Sequence, residues 1–360
     1  MKEKSTGGQE KNNVIYKLIS IIPGIALCFL VAMPSWLTGR KFPVIGGPVI
    51  AIVIGILIAT LFPKLITYKF TEHIGFTQGI KYTSKKLLQY SIILLGFDMN
   101  LYNIIRVGSQ SLLVMLFTLA TAFIIAFIIG KALRLSGNTT TLIGVGTAIC
   151  GGSAIAATAP VIHAKDEDVA RAISTIFLFN IVAVFTFPAL GRLMNMSDIN
   201  FGMWIGTAVN DTSSVVATGT VWSNAIGDDA ALRFATIVKL TRTLMIVPIT
   251  LFLAIYTARK SKGDKNSNFN FAKVFPWFVL FFILAAIINT FTGIPESLSK
   301  NFVAVGKFVI VMAMAAIGLS TNLKTFISSG IKPILLGLCC WFSVAVMSLI
   351  VQSLIVLPVI

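Results

Sequence analysis

Charged side chains are scarce in this sequence, and their scarcity defines its class. Only 12% of the 360 residues are charged and 56% are hydrophobic, whereas a soluble domain carries about 25% charged residues. The mean hydropathy is +0.90. Apolar windows near the roughly 20 residues that a helix needs to cross a bilayer recur along the chain. These features exclude a soluble protein and predict an all-α integral membrane protein in contact with the lipid bilayer.

Cysteine and histidine are also rare, which restricts the chemistry of the protein. The sequence has four cysteines and two histidines. All four cysteines lie in apolar windows, and no cysteine or histidine cluster has the spacing of metal ligands. We therefore expect no disulfide, no metal and no cofactor.

An enzyme is also not expected. An intramembrane hydrolase would need Cys150 or Ser153 as nucleophile and His163 as base. His163 stands beside the charged run Lys165 to Asp168, where an exposed loop histidine is the simpler interpretation.

Acidic residues are fewer than basic ones, with 13 Asp and Glu against 29 Lys and Arg. The basic residues lie mostly in short connections between apolar windows, where they set orientation in the membrane rather than bind nucleic acid. The positive-inside rule places residues 1–13, 64–86, 131–134 and 258–273 in the cytoplasm. We predict a disordered cytoplasmic N-terminus over 1–13, a cytoplasmic loop over 258–273 and a single polytopic domain over 14–360.

About eleven membrane elements are predicted along the chain. They cover residues 16–33, 44–63, 86–107, 109–134, 138–163 (element A), 168–193, 200–225 (element B), 230–257, 274–292, 301–323 and 331–358.

Elements A and B share an interrupted repeat. Gly146 to Thr158 reads GTAICGGSAIAAT, and Gly206 to Thr218 reads GTAVNDTSSVVAT. Two glycines, or Asn-Asp-Thr-Ser, disfavour a helix interior and favour helix starts. Each element is therefore predicted to be two half-helices around a break, and paired broken helices of this kind point to a transporter site.

A second repeat links Gly96-Phe-Asp-Met-Asn100 to Gly318-Leu-Ser-Thr-Asn322, at an offset of 222 residues. The two copies run in opposite directions across the predicted membrane, as inverted-topology repeats require. Repeat one would cover 44–193, and a permuted repeat two 200–358. The inverted relation between the two repeats holds if A and B are re-entrant hairpins that enter the membrane from opposite sides and meet at its middle. The alternative is that both elements cross the membrane fully.

The hairpin tips are the predicted substrate site, because helix N-termini attract anions. The candidate side chains and glycines are Cys150, Gly151, Gly152, Ser153, Asn210, Asp211, Thr212, Ser213 and Ser214. Small residues packed between helices are the competing interpretation.

Three charged residues join this prediction because ionisable groups at membrane depth are costly and usually functional. Lys239 and Arg242 are three residues apart, on one helix face, and are expected to bind the substrate anion. Asp211 is a coupling-ion candidate, and Asp98 a weaker one. The competing interpretations are a helix cap for Asp211 and a purely structural Asp-Lys-Arg cluster.

The CGGSAIAA run from Cys150 to Ala157, with NDTSSVVATG and the K-L-T-R run from Lys239 to Arg242, resembles the YeiH-like (UPF0324) family of bacterial membrane proteins named for sulfate export. That family is similar in architecture to the sodium/proton antiporter and bile-acid symporter superfamily. The resemblance implies a bacterial inner-membrane protein with crossed discontinuous helices between inverted repeats, and a core domain that moves against a scaffold.

The leading hypothesis is a secondary transporter, in the export direction, of a small anion such as sulfate or an organic sulfonate or carboxylate, coupled to H⁺ or Na⁺. A cation/proton antiporter is the alternative, favoured by Asp211. A membrane sensor or assembly scaffold would explain neither the duplication nor the buried charges. A homodimer is one of the assemblies that the sequence leaves open.

Overall fold

The computed structural model describes residues 6–42, 46–68, 75–260, 276–321 and 330–354, and its regular structure is helical. This confirms the all-α class. The helices are α1 Thr6–Lys41, α2 Gly47–Leu61, α3 Pro63–Thr67, α4 Phe76–Tyr82, α5 Leu88–Gly96, α6 Leu101–Ala132, α7 Gly137–Ala148, α8 Gly152–Thr158, α9 Asp166–Leu193, α10 Asp198–Ala208, α11 Thr212–Ile226, α12 Ala230–Leu244, α13 Ile246–Lys260, α14 Trp277–Thr292, α15 Glu296–Ser320 and α16 Ile331–Leu354. A π-helical turn, Thr83–Leu87, joins α4 to α5.

Six of the described helical stretches are long and apolar enough to cross a membrane. They lie in α1, α6, α9, α12 with α13, α15 and α16. This is fewer than the eleven elements predicted, because the other windows hold two short apolar helices, α2 and α14, the interrupted helix α4–α5, and elements A and B.

The boundary predicted between residues 107 and 109 is wrong. The chain breaks earlier, at Phe97 to Asn100, and α6 then runs unbroken through Gly108. Asn100 ends the break because its Oδ1 accepts a hydrogen bond from the backbone N–H of Tyr102 at 2.8 Å, as a helix N-cap does. Gly108 stays helical, where a Cβ would meet only Thr241 Oγ1, at 3.3 Å.

The N-terminus also differs from the prediction, since α1 begins at Thr6, within the segment 1–13 expected to be disordered. Glu, Lys and Gln are good helix formers, and no proline separates them from the apolar run. The cytoplasmic loop predicted over 258–273 lies mostly outside the described residues, as does Asn322.

Element A folds back on itself. The Asp168 carboxylate, at the start of α9, accepts hydrogen bonds from Ser136 Oγ at 2.7 Å and Thr139 Oγ1 at 2.6 Å, at the start of α7. A Cβ on Gly146 would also lie 2.9 Å from Ile155 Cδ1, so α7 and α8 lie side by side. Element A is therefore a helical hairpin whose two ends lie at the N-terminal end of α9.

Element B folds back in the same way at the other end of α9. Trp222 Nε1, in α11, donates to Asp198 Oδ1 at the start of α10, at 2.6 Å. The rings of Trp222 and Phe201 stack with their centroids 3.9 Å apart. Since α9 separates the two hairpins in sequence, they enter the bundle from opposite ends.

The helices form two layers. Helices α6 to α13 and α16 form one layer, which includes the two hairpins and which we call the core bundle. Helices α1, α2, α4, α5, α14 and α15 form a second layer, which we call the panel. Close glycine contacts hold the panel together. A Cβ on Gly55 in α2 would lie 2.9 Å from Gly318 Cα in α15, and a Cβ on Gly96 in α5 would lie 3.0 Å from Ala285 Cβ in α14.

Candidate functional site

The tips of the two hairpins meet. A Cβ on Gly151 would lie only 3.2 Å from Asp211 Cβ. The backbone N–H of Asp211 also donates to Asn180 Oδ1 at 3.2 Å. Asn180 is halfway along α9, which has 28 residues, so the tips lie at the middle of a helix long enough to cross a bilayer.

Lys239 and Arg242, on α12, bind both hairpins through backbone carbonyls. Lys239 Nζ donates to Ile149 O at 2.8 Å and Val209 O at 2.9 Å, so it bridges the two breaks. Arg242 donates to three more carbonyls, those of Ala148 at 2.6 Å, Thr147 at 2.5 Å and Thr207. Both side chains are fully buried.

These contacts give the two cations a partner that the sequence does not reveal. The last carbonyls of a helix are unpaired and carry partial negative charge. Lys239 and Arg242 satisfy these carbonyls at the ends of α7 and α10, and both hairpins are thereby fastened to α12. The role in binding a substrate anion that the sequence suggested for these two side chains stays a prediction.

A cavity of about 600 Å³ lies between the hairpin tips and the panel. We call it the tip cavity. Its core-bundle wall includes five of the predicted site residues, Gly152, Ser153, Asp211, Thr212 and Ser213. Asp211 is also the N-cap of α11, since its Oδ2 accepts from the N–H of Ser213 at 3.0 Å and from the Ser213 hydroxyl. The cap predicted as a competing interpretation is thus present, and the carboxyl still borders the cavity.

The other predicted residues lie elsewhere. Cys150, Asn210 and Ser214 are buried around the tips and do not line the tip cavity. Asp98 lies apart from them, where its Oδ2 pairs with Arg233 Nη1 at 3.0 Å. His163 is exposed in the turn after α8 and does not line the cavity that holds Ser153.

The panel wall adds residues that the sequence did not suggest. Lys81 and Lys85 line the tip cavity from α4 and the π-helical turn, together with Gln89, Ser320 and Thr321. The two lysines are four residues apart, the spacing that places side chains on one helical face. That spacing was the available signal, but these lysines were assigned only to membrane orientation.

Several buried polar groups near the tips have no protein partner among the described residues. They include Asn180 Nδ2, both amide atoms of Asn210 and Thr147 Oγ1. Buried polar groups are almost always paired, with protein or with water or an ion. The unpaired atoms of Asn180, Asn210 and Thr147 therefore make the region beside the tips polar within an apolar bundle.

The two tip glycines are expected to differ sharply in their tolerance of a side chain. Gly151 has a φ of 67° and faces Asp211, whereas a Cβ on Gly152 would find its nearest atom, in Phe177, at 3.7 Å. Gly151→Ala should destabilise the protein by about 1 to 3 kcal/mol through backbone strain. Gly152→Ala should leave its stability nearly unchanged. Thermal unfolding in detergent measures both, and equal stability of the two variants would contradict this view of the tip.

Comparison with known proteins gives a consistent result. Residues 23–337 match the model of a family described as conserved hypothetical protein 698. The chain is 48% identical to a UPF0324 membrane protein of Fusobacterium nucleatum, over 95% of this chain and 98% of that protein. It is 50% identical to a UPF0324 membrane protein of Streptococcus pyogenes serotype M18, over 92% of this chain and 96% of the relative. These relatives are named only as membrane proteins.

Proposed function

The chain belongs to the UPF0324 family of multi-pass membrane proteins, and from this premise we propose that it is a secondary active transporter of a small anion. The observation that carries the proposal is the tip cavity, which lies between two helix layers and reaches the middle of the bundle. Sulfate, or an organic sulfonate or carboxylate, suits its lining of two lysines, three hydroxyl side chains at the tips and the N-terminal end of α11.

Internal pairing of the helices supports inverted repeats, as transporters of this kind require. In the panel, α2 lies parallel to α15, since Gly47 contacts Val311 and Gly55 contacts Gly318. Helix α5 lies parallel to α14, since Gly96 contacts Ala285 and Met99 O accepts from Asn289 Nδ2. The offset of 222 residues relates α5 to α15. In each pair, therefore, the first panel helix of one repeat lies parallel to the second panel helix of the other repeat.

Orientation follows from the basic residues. The positive-inside rule places the end of the panel that carries Lys81 and Lys85 in the cytoplasm. The tip cavity then faces the cytoplasm in this conformation, and an anion leaving the cell enters there.

Asp211 provides a coupling mechanism. When its carboxyl is ionised, its negative charge opposes an anion in the same cavity. A proton on Asp211 removes that charge and leaves Lys81 and Lys85 to attract the anion. Binding of the proton and of the anion therefore favour each other, as cotransport of the two in one direction requires.

A cation/proton antiporter is the second candidate, and one observation favours it. Lys239 and Arg242 are bound to carbonyls, whose partial negative charge offsets part of their repulsion of a cation in the tip cavity. Asp211 could then bind either Na⁺ or H⁺. The two lysines in the panel wall weigh against this candidate.

Replacing both cavity lysines should decide between these functions. In Lys81→Gln with Lys85→Gln, we expect sulfate affinity to fall on the order of tenfold, because two nearby charges are lost. Isothermal titration of the purified protein with sulfate, and with sodium as its chloride, measures this.

The matched control is Lys86→Gln, since Lys86 is exposed on the same π-helical turn but does not line the tip cavity. It should bind sulfate as the wild type does. If no oxyanion binds and Na⁺ does, with affinity that rises with pH, the anion transporter is wrong and the antiporter is favoured.

A further inference from the structure

A second cavity, of about 500 Å³, lies at the other end of the interface between the core bundle and the panel. We call it the charged cavity, since its lining includes Arg40, Asp98, Asp229, Arg233, Lys300 and Lys307. Basic side chains outnumber acidic ones there. The cavity therefore has the charge to attract an anion, although no predicted substrate-binding residue lines it.

Helix α11 connects the two cavities. Thr212 and Ser213 at its N-terminal end line the tip cavity, and Asn224 near its C-terminal end lines the charged cavity. The eleven residue-to-residue steps from Ser213 to Asn224 rise roughly 17 Å along a helix. One face of α11 thus runs from one cavity to the other.

Close packing separates the cavities along this face. Val221 is 2% exposed, and a Cβ on Gly46 would lie 2.9 Å from Val221 Cγ2. Since Val221 belongs to the core bundle and Gly46 precedes α2 of the panel, this contact closes the interface beside the charged cavity.

Two ion pairs cross the interface at the same end. Arg233 Nη1, on α12, lies 3.0 Å from Asp98 Oδ2, and Lys307 Nζ, on α15, lies 2.7 Å from Asp229 Oδ2. Asp98 moves with the panel, because Ser299 Oγ on α15 donates to Phe97 O at 3.0 Å. Each pair therefore joins one group of the core bundle to one group of the panel.

These pairs suit a contact that breaks and reforms. The Arg233–Asp98 side chains are 39% and 30% exposed and those of Lys307–Asp229 are 16% and 25% exposed, and ion pairs in contact with water contribute little to folding. The pair of fully buried cations on the same helix, Lys239 and Arg242, shows the opposite arrangement, with every contact inside the core bundle. The charges at the interface can separate without unfolding either layer.

We infer that the charged cavity is the opposite entrance of the transport route, where the same small oxyanion leaves or enters, and that Arg233–Asp98 and Lys307–Asp229 are the gate that closes the route between the two cavities. The inference rests on the proposed transport function. In this conformation the tip cavity is open and the gate is closed. When the core bundle shifts against the panel, the two ion pairs part and the Val221 contact opens.

Accessibility of Val221 tests the gate. We would introduce Val221→Cys together with Cys339→Ser, because the other three cysteines are buried, and measure the rate of labelling by a charged maleimide in detergent. In Asp98→Asn with Asp229→Asn, labelling should be about fivefold faster or more, since two attractions that favour the closed state are lost.

Two further variants make the test specific. The variant Asp229→Lys with Lys307→Asp exchanges the charges of one ion pair and keeps their attraction. Its labelling should be slow, as in the protein with both native pairs. Glu296→Gln breaks the Glu296–Lys300 pair, which lies within one exposed helical turn of α15, and should leave the labelling rate unchanged. Unchanged labelling in the double Asn variant, or equally fast labelling in Glu296→Gln, would overturn the gate.

Labelling is measured without substrate, so the gate and the transport proposal can fail separately. If sulfate binds as expected and the double Asn variant labels slowly, the gate is wrong and the transporter stands. If labelling follows the ion pairs but neither sulfate nor another oxyanion binds, the interface opens as inferred and the anion assignment is wrong.

Discussion

Arg242→Met is expected to destabilise the protein by at least about 3 kcal/mol, because it leaves three buried carbonyls without a donor. The carbonyls belong to both hairpins, so the loss should loosen the contact between the two tips. Thermal unfolding of the purified protein in detergent, followed by the loss of the monodisperse fraction, measures the change.

Arg106→Met is the matched control, since Arg106 is exposed on α6, and its stability should stay near that of the wild type. The comparison also separates two roles for Arg242. A residue that served only to bind substrate could be replaced without loss of stability in the absence of anion. A stable Arg242→Met protein that no longer binds sulfate would restore the substrate-binding role and contradict the structural one.

Asp211→Asn is expected to abolish proton-coupled transport while the protein stays folded. Asparagine is as good a helix N-cap as aspartate, so α11 keeps its start. The substitution imitates the protonated carboxyl. Sulfate affinity at neutral pH or above should therefore rise on the order of tenfold, the effect of removing one unit charge several ångströms away, and its dependence on pH should disappear.

Sulfate titration at a series of pH values and uptake of labelled sulfate into proteoliposomes under a pH gradient measure the two effects. Asp198→Asn controls for the loss of an acid in the same hairpin, because asparagine keeps the oxygen that accepts from Trp222 Nε1. Transport of normal rate and pH dependence in Asp211→Asn would reduce Asp211 to a helix cap.

The breaks in the hairpins were predictable because their causes are local. Two consecutive glycines, Gly151 and Gly152, or Asn210 followed by Asp211, disfavour a helix interior, and the duplication indicated that the two breaks act together. The helix boundary near residue 100 was missed for a related reason. Gly108 resembles a breaker, but glycine is common at close helix contacts in membranes, whereas Asn100 supplies the cap.

The partners of Lys239 and Arg242 could not be predicted, because every residue has a backbone carbonyl and the sequence does not show which of them end up unpaired. The cavity lysines were missed for a different reason. Lys81 and Lys85 occur in a basic connection, where charge sets membrane orientation, and only the tertiary packing of α4 against the hairpins gives them a second role. Long-range placement, rather than residue type, limited the prediction of the site.

The attachment of both hairpins to α12 has a consequence for selectivity. Five hydrogen bonds from two side chains hold the tips together, so the tips can travel only as one rigid piece. In the proposed transport cycle, an anion would stay with the same core-bundle groups while the panel residues around it are exchanged. We then expect these groups to discriminate between substrates identically from the two faces, and any asymmetry in apparent affinity to come from Lys81 and Lys85 at one entrance and from the charged side chains at the other.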